Sequence, residues 1–162
     1  MKNLIFIVQF IAISLTVQAQ SVKIYNTETD ANAQIEVAIQ EAAQSGKHVF
    51  IQIGGNWCTW CLKFHDFVAN SSSIKDILYE NYVVIKVNYS PENKNLPAIK
   101  RLEYPQRFGF PVFVILNGKG ERIHTQNTAY LEEDKGYSEK KVVEFLKAWT
   151  PKAIDAASYP EI

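Results

Sequence analysis

Hydrophobic residues along the chain change their spacing several times, which is typical of α-helices that alternate with β-strands. Between residues 30 and 45 the apolar positions recur at helical spacing, and Gly46 follows as the left-handed residue that commonly ends a helix. A second amphipathic stripe runs over residues 138–149, with Ser138 as its expected N-cap. Both segments are predicted to pack one face against a sheet.

The strands are indicated by short apolar segments rather than by helical spacing. Residues 48–53, HVFIQI, are hydrophobic on both faces, as expected for a central strand that is covered on two sides. Residues 117–120, NGKG, predict a hairpin because Asn and Gly tolerate positive φ angles. Further strands are predicted at residues 82–88, 111–116 and 121–125, with a weak first strand at 22–25.

Shorter helices are predicted between the strands, at residues 58–69, at 74–80 after a capping hydroxyl in the serine run 71–73, and at 96–102. This order of elements predicts a single α/β domain in which a mixed sheet carries helices on both faces. Residues 151–162 are predicted to form a C-terminal tail.

The N-terminal segment predicts export. Lys2 precedes an apolar run over residues 4–17, and Val17-Gln18-Ala19 suits cleavage by signal peptidase. The run is shorter than a membrane-spanning helix requires, although an uncleaved anchor is the alternative. We therefore expect a signal peptide over residues 1–19, a periplasmic location after passage across the inner membrane, and no stable membrane insertion after cleavage.

The charge balance narrows the classes of partner. The chain has 17 Lys and Arg residues against 17 Asp and Glu residues. This balance argues against electrostatic binding to nucleic acid or to an anionic membrane.

The two cysteines, Cys58 and Cys61, lie three positions apart in NWCTWC, and three interpretations compete. A structural disulfide is plausible in an oxidising compartment. Closing so short a ring contributes about 1.9 kcal/mol on the chain-entropy formula, against about 3 kcal/mol for a fifteen-residue loop, so the pair would be a weak cross-link. A metal site needs three or four ligands, and Cys58, Cys61 and His65 have no second ligand pair elsewhere in the sequence, so neither a metal nor another cofactor is expected.

Redox chemistry fits the predicted local structure better. A buried strand, a Gly-Gly turn and a helix start place Cys58 where free backbone N–H groups and the helix dipole favour a thiolate. We expect Cys58 to be exposed at the helix tip, where it attacks a substrate disulfide. Cys61, one turn further along and more buried, would resolve the mixed disulfide.

The motif Trp57-Cys58-Thr59-Trp60-Cys61, after a buried strand and at a helix start, resembles that of the thioredoxin superfamily, and in particular of its secreted bacterial thioredoxin-like proteins. The resemblance implies a thioredoxin fold over residues 20–150. It also implies that Phe110-Pro111, just before the strand 111–116, contains a cis-proline whose backbone pairs with an extended substrate peptide.

Two positions depart from the pattern of that family. Gln52 stands six residues before Cys58, where thioredoxins have a buried aspartate that helps to deprotonate the second cysteine. Lys86 matches the lysine that accompanies this aspartate, so the lysine is kept without its carboxylate. The dipeptide Thr59-Trp60 has no His to stabilise a thiolate strongly, which favours a reducing or electron-passing role over a strongly oxidising one.

Aromatic residues gather in sequence around the two motifs. For Trp57 and Trp60, at the turn and the helix tip, we expect exposure and a role in docking unfolded or extended polypeptide. Tyr104, Phe108 and Phe110 are expected at the same rim of the molecule.

The sequence therefore predicts a thiol-disulfide oxidoreductase that acts on disulfide-containing or unfolded secreted proteins and exchanges electrons with a further redox partner. A peptide- or protein-binding module with a permanently closed disulfide is the alternative from another class, and the replacement of the acid by Gln52 favours it. A peroxidase fits less well, because it would need a single activated cysteine rather than a dithiol.

Overall fold

The computed structural model describes residues 22–160. The signal peptide predicted for residues 1–19 lies outside the described residues.

A four-stranded mixed sheet forms the centre of the fold. Its strands are β1 (His48–Gly54), β2 (Tyr82–Asn88), β3 (Val112–Leu116) and β4 (Arg122–Asn127), in the order β2-β1-β3-β4. β1 runs parallel to β2 and antiparallel to β3, which in turn pairs antiparallel with β4. The predicted mixed sheet and its central strand are confirmed, since every residue of β1 is buried.

The helices cover both faces of this sheet, as predicted. They are α1 (Ala31–Ser45), α2 (Thr59–Asn70), α3 (Ser72–Asn81), α4 (Leu96–Arg101), α5 (Glu139–Ala148) and α6 (Pro151–Ile154). Within residues 22–160, none of the helices is long and apolar enough to cross a membrane.

Alternation along β1 divides the hydrophobic core into two layers. Val49, Ile51 and Ile53 face the layer that contains α1 and α4. Phe50 faces the other layer, which contains α2, α3 and α5. Because side chains alternate between the two faces of a strand, one buried strand supplies both layers and holds its own C-terminal end in place.

One predicted strand is absent, and short elements that were not predicted occur in the C-terminal part of the chain. Residues 22–25 form no strand, although Tyr25 is buried. The predicted tail 151–162 begins with α6, followed by a 3₁₀ turn at Ala156–Ser158. A small hairpin of β5 (Glu132–Glu133) and β6 (Gly136–Tyr137) precedes α5, and its two-residue strands are too short to show a periodic pattern.

The helix ends follow the predicted chemistry except at α5. Gly46 ends α1 with a φ of 67°, and the Ser71 hydroxyl accepts a hydrogen bond from the Ile74 N–H at 3.3 Å to cap α3. Ser138 occupies the N-cap position of α5 but makes no capping hydrogen bond with its side chain. The position was predicted correctly, whereas the hydroxyl's role was not.

These two N-cap serines provide a matched pair for a stability measurement. Ser71→Ala should lower the free energy of unfolding by about 1 kcal/mol, because it leaves a helix N–H without its acceptor. Ser138→Ala should lower it by less. Chemical denaturation of both variants checks this, and equal losses would show that the Ser71 hydroxyl has no capping value.

Candidate active site

At the C-terminal end of β1, the backbone of two glycines lies close to side chains of the cysteine segment. A Cβ atom on Gly54 would lie 2.3 Å from Cys61 Sγ, and one on Gly55 would lie 2.3 Å from Trp57 Nε1. Neither distance is compatible with a side chain at the glycine, because the neighbouring atoms would have to move. The two glycines therefore allow the chain to turn tightly from β1 into α2.

Cys58 and Cys61 form a disulfide across the first turn of α2, with their Cα atoms 5.2 Å apart. Cys58 is the N-cap residue, and its Sγ accepts a hydrogen bond from the Cys61 backbone N–H at 3.1 Å. The sulfur thus lies at the positive end of the helix dipole, where a thiolate would be stabilised.

Both cysteines are buried in the disulfide form. Cys61 is fully buried and Cys58 is 4% exposed, so the expectation that Cys58 is exposed at the helix tip is wrong for this form. The two cysteines and Tyr25 form a small cluster against which Ile24, Trp60 and Phe110 pack. The order of accessibility is nevertheless the predicted one, with Cys58 nearer to solvent than Cys61.

Gln52 lies beneath the pair on β1 and is 3% exposed. Its Nε2 donates to Tyr25 Oη at 2.8 Å and to the carbonyl oxygen of Cys61 at 3.3 Å. Lys86 is its register partner on β2 and is half-buried, and this burial lowers the pKa of the ammonium group. Within residues 22–160, no carboxylate forms a salt bridge with Lys86.

The second motif lies close to the first. The Phe110–Pro111 peptide bond is cis, and the Phe110 ring packs against the cysteine cluster. The carbonyl oxygen of Pro111 accepts a hydrogen bond from the Thr128 hydroxyl at 2.6 Å. The start of β3 is thereby held beside the disulfide.

Trp57 is 54% exposed, as predicted. Its Nε1 donates to the carbonyl oxygen of Tyr89 at 2.9 Å, and its ring meets Phe110 edge-on with the centroids 5.4 Å apart. The Tyr89 and Phe110 rings are 5.0 Å apart. We refer to Trp57, Tyr89 and Phe110 as the aromatic wall; it lines a cleft of about 970 Å³ that opens beside the cysteines.

Trp60 does not join this wall, and the prediction that it is exposed was wrong. It is half-buried, its ring lies edge-on to Tyr137 at 5.5 Å, and Lys63 Nζ lies 4.3 Å from the ring centroid. Its neighbour Thr59 is exposed as the first residue of α2. Tyr104 and Phe108 are exposed but do not line the cleft, so they are not part of the aromatic wall.

The histidines are not gathered at the cysteine pair. His65 is half-buried on α2, whereas His48 and His124 both contact Trp149, His48 through a ring hydrogen bond and His124 by stacking. Among the residues that the structure describes, no cluster of three or more His, Cys, Asp or Glu side chains could hold a metal ion.

Sequence reasoning missed a clamp beside the pair. Asn56 Oδ1 accepts hydrogen bonds from the N–H groups of Ile24 and Tyr25, both at 2.9 Å, and Asn56 Nδ2 donates to the Tyr25 carbonyl oxygen at 2.8 Å. The backbone groups of residues 24 and 25 are therefore bound by one side chain and not by a neighbouring strand, although a strand was predicted at residues 22–25. The polar Asn56 directly after the Gly-Gly turn was the available signal.

Known proteins share this fold and part of the sequence. A family model described as thioredoxin-like matches residues 30–118. The disulfide bond reductase DsbH of Chlamydia pneumoniae is 24% identical over 93 residues, which cover 53% of this chain and 55% of the relative. The chain thus aligns with about half the length of that curated relative.

Two solved structures are similar in fold. The disulphide isomerase from Xylella fastidiosa Temecula1 superposes with a TM-score of 0.68 at 21% identity, covering 76% of this chain and 94% of the other. A DsbH oxidoreductase superposes with a TM-score of 0.51 at 19% identity, covering 82% of this chain and 92% of the other. At these identities the likeness shows the thioredoxin-type fold.

The half-buried Lys86 gives a pH prediction. Because its pKa is lowered on folding, the unfolded chain binds more protons than the folded chain between the folded pKa and the ordinary value of about 10.4. The wild-type protein should therefore gain stability as pH rises through this window. Lys86→Met lacks this gain and should be more stable near neutral pH, by no more than about 1 kcal/mol because solvent still screens the group.

Urea unfolding of both proteins at neutral and alkaline pH checks the prediction. Lys119→Met, in the exposed connection between β3 and β4, is the control and should show no such pH-dependent difference. The prediction is contradicted if the free energy of unfolding of Lys86→Met differs from that of the wild type by the same amount at every pH.

Proposed function

The chain belongs to the thioredoxin-like family, and from this premise we propose that it is a thiol-disulfide oxidoreductase in which Cys58 attacks and Cys61 resolves. The hydrogen bond from the Cys61 N–H to Cys58 Sγ, at the first turn of α2, is the observation that carries the proposal. The same N–H would stabilise a thiolate at Cys58 in the reduced protein. A cysteine placed only for cross-linking would have no need of this donor.

The proposed reaction is an exchange of disulfides. The Cys58 thiolate attacks one sulfur of a substrate disulfide, a mixed disulfide forms, and the other substrate sulfur leaves as a thiolate. The Cys61 thiolate then attacks Cys58 Sγ, which closes the Cys58–Cys61 bond and releases the second substrate thiolate. Two electrons pass to the substrate, and an external dithiol restores the reduced protein.

We place the direction of transfer on the reducing side. The residues between the cysteines support this direction. Neither Thr59 nor Trp60 can carry a positive charge that would strongly stabilise a Cys58 thiolate, as a His at one of these positions could. The name of the Chlamydia relative, a disulfide bond reductase, agrees with this direction.

The substrates in this proposal are disulfide-containing or unfolded secreted proteins, and the reaction takes place in the periplasm. The export signal predicted from residues 1–19 supports this compartment. The cleft lined by the aromatic wall also contains Tyr25 and Asn56, which lie next to the cysteines, and Trp57 is exposed at this cleft.

A binding module with a permanently closed disulfide is the second candidate, and the burial of both cysteines favours it. The reduction potential of the Cys58–Cys61 pair separates the two functions. A value between about −270 and −120 mV belongs to catalytic dithiols, whereas one below about −300 mV belongs to structural disulfides.

Single cysteine variants test the proposed roles. Cys58→Ala should abolish the dithiol-driven reduction of a disulfide-containing protein, because no attacking sulfur remains. Cys61→Ala should abolish turnover but accumulate a mixed disulfide at Cys58, detectable by mass spectrometry. If Cys61→Ala traps nothing while Cys58→Ala does, the roles are reversed, and if neither variant traps a substrate, the binding module is favoured.

The two tryptophans should differ in their effects. Trp57→Ala should raise the KM for a protein substrate by about tenfold with little change in the free energy of unfolding, because the ring is exposed at the cleft. Trp60→Ala should instead lower stability by roughly 2 kcal/mol, because its ring packs on Tyr137. Steady-state kinetics and chemical denaturation of both variants would reject this division if Trp57→Ala proved the more destabilising.

A further inference from the structure

The inner cysteine has a phenol beside it rather than a carboxylate. Tyr25 is 3% exposed and packs in one cluster with Cys58 and Cys61. The Asn56 side chain holds the backbone of Tyr25 through two hydrogen bonds and that of Ile24 through a third. Because Asn56 stands two residues before Cys58, the motif itself positions Tyr25.

The hydroxyl of Tyr25 and the sulfur of Cys61 both lie close to Gly54. A Cβ atom on Gly54 would lie 2.8 Å from Tyr25 Oη and 2.3 Å from Cys61 Sγ, so the two atoms are no more than about 5.1 Å apart in the disulfide form. A side chain at Gly54 would collide with both atoms, so only glycine allows this approach.

The hydrogen bonds of Gln52 determine the direction in which the Tyr25 hydroxyl points its proton. The carbonyl oxygen of Cys61 can only accept, so the Gln52 group 3.3 Å from it must be the NH₂. That NH₂ also donates to Tyr25 Oη at 2.8 Å, which makes the Tyr25 oxygen an acceptor. Within the described part of the chain Tyr25 Oη makes no other hydrogen bond, so its own proton remains available to a neighbour.

We propose that Tyr25 is a catalytic residue whose hydroxyl donates a hydrogen bond to the Cys61 thiolate whenever the disulfide is open. The inference rests on the proposed oxidoreductase function and names the group that takes the place of the missing acid. Burial raises the pKa of Tyr25, so the phenol stays neutral and acts as a donor rather than as a base. Gln52 is then a positioning residue that holds the phenol oxygen.

Tyr25 neither gains nor loses a proton in the resolving step. The Cys61 thiol loses its proton to solvent, the thiolate attacks Cys58 Sγ, the Cys58–substrate bond breaks, and the departing substrate thiolate takes a proton from solvent. When an external dithiol later opens the Cys58–Cys61 bond at Cys58, Cys61 leaves as a thiolate, and the same hydrogen bond stabilises it. Tyr25 keeps its own proton throughout.

Other titratable groups surround this site, and their effects have to be distinguished from that of Tyr25. Lys86 lies opposite Gln52 on β2, and His65 of α2 lines the same small cavity as Gln52 and Lys86. Tyr137, on β6, donates its hydroxyl proton to the carbonyl oxygen of Trp60 at 3.2 Å. A test of Tyr25 therefore needs a readout that belongs to Cys61 alone.

The resolving step can be isolated with a small aromatic disulfide whose thiolate product is coloured. The reduced protein forms the mixed disulfide at Cys58 in acid, where Cys61 stays protonated, and a jump to neutral pH starts the release of the coloured thiolate. Tyr25→Phe should slow this release by about tenfold, the value of one hydrogen bond to a charged group. In a Cys61→Ala background, Tyr25→Phe should leave the first attack by Cys58 unchanged.

An equilibrium measurement provides the second readout. In a Cys58→Ser variant, the thiolate absorbance of Cys61 should appear at higher pH, by about one unit, when Tyr25→Phe is added. Tyr82→Phe is the matched control, since the Tyr82 hydroxyl is also buried but donates to the Leu146 carbonyl oxygen at 2.6 Å, away from the cysteines. It should change neither readout.

The proposal is overturned if Tyr25→Phe leaves the release rate and the Cys61 titration unchanged, or if it slows both thiol steps equally. Should Tyr25→Phe fail to fold, Gln52→Met, which removes the donor to Tyr25 Oη, must slow the release step alone for the proposal to stand. These assays use no protein substrate, so they are independent of the trapping experiment on Cys61→Ala. If Tyr25→Phe has no effect, the proposed roles of Cys58 and Cys61 are unaffected. If Cys61→Ala traps no protein substrate, the effect of Tyr25→Phe on the release rate and on the Cys61 titration can still be measured.

Discussion

The burial of β1 on both faces is the constraint on which the rest of the structure depends. Residues 48–54 supply side chains to two core layers and pair with a strand on each side, so the strand cannot shift in register without exposing apolar surface. Its last residue, Gly54, is therefore held at a defined place. The Gly-Gly turn, the disulfide and the start of α2 follow from that place.

Much of this arrangement was predictable because it is encoded locally. The strand at residues 82–88 and the helix cap at Ser71 depend on the period of the apolar residues and on a hydroxyl one turn from the backbone group that it caps. Such signals lie within about ten residues of one another. The resemblance around Trp57–Cys61 then added the cis-proline, which no local pattern would have indicated.

The parts that were not predictable depend on contacts between distant segments. Asn56 binds residues 31 and 32 positions away through its side chain, and a hydrogen bond of this kind leaves no periodicity in the sequence. Residues 22–25 were predicted as a weak strand instead. Trp60 was misplaced for a similar reason, since its cover is Tyr137, which belongs to a hairpin too short to be recognised.

Gln52, in place of the buried aspartate of thioredoxins, leaves the site without a negative charge. A buried carboxylate beside a half-buried lysine would add a charge that must be desolvated and would titrate together with the cysteines. A carboxamide and a phenol carry no charge at neutral pH, so in the proposed arrangement the phenol, held by Gln52, donates to the thiolate without competing with it for a proton. A site built in this way would favour the ionised form of Cys61 through hydrogen-bond geometry. The tight packing of Gly54 against both Tyr25 and Cys61 is consistent with that requirement, since a hydrogen bond depends on the placement of its atoms more strictly than a charge does.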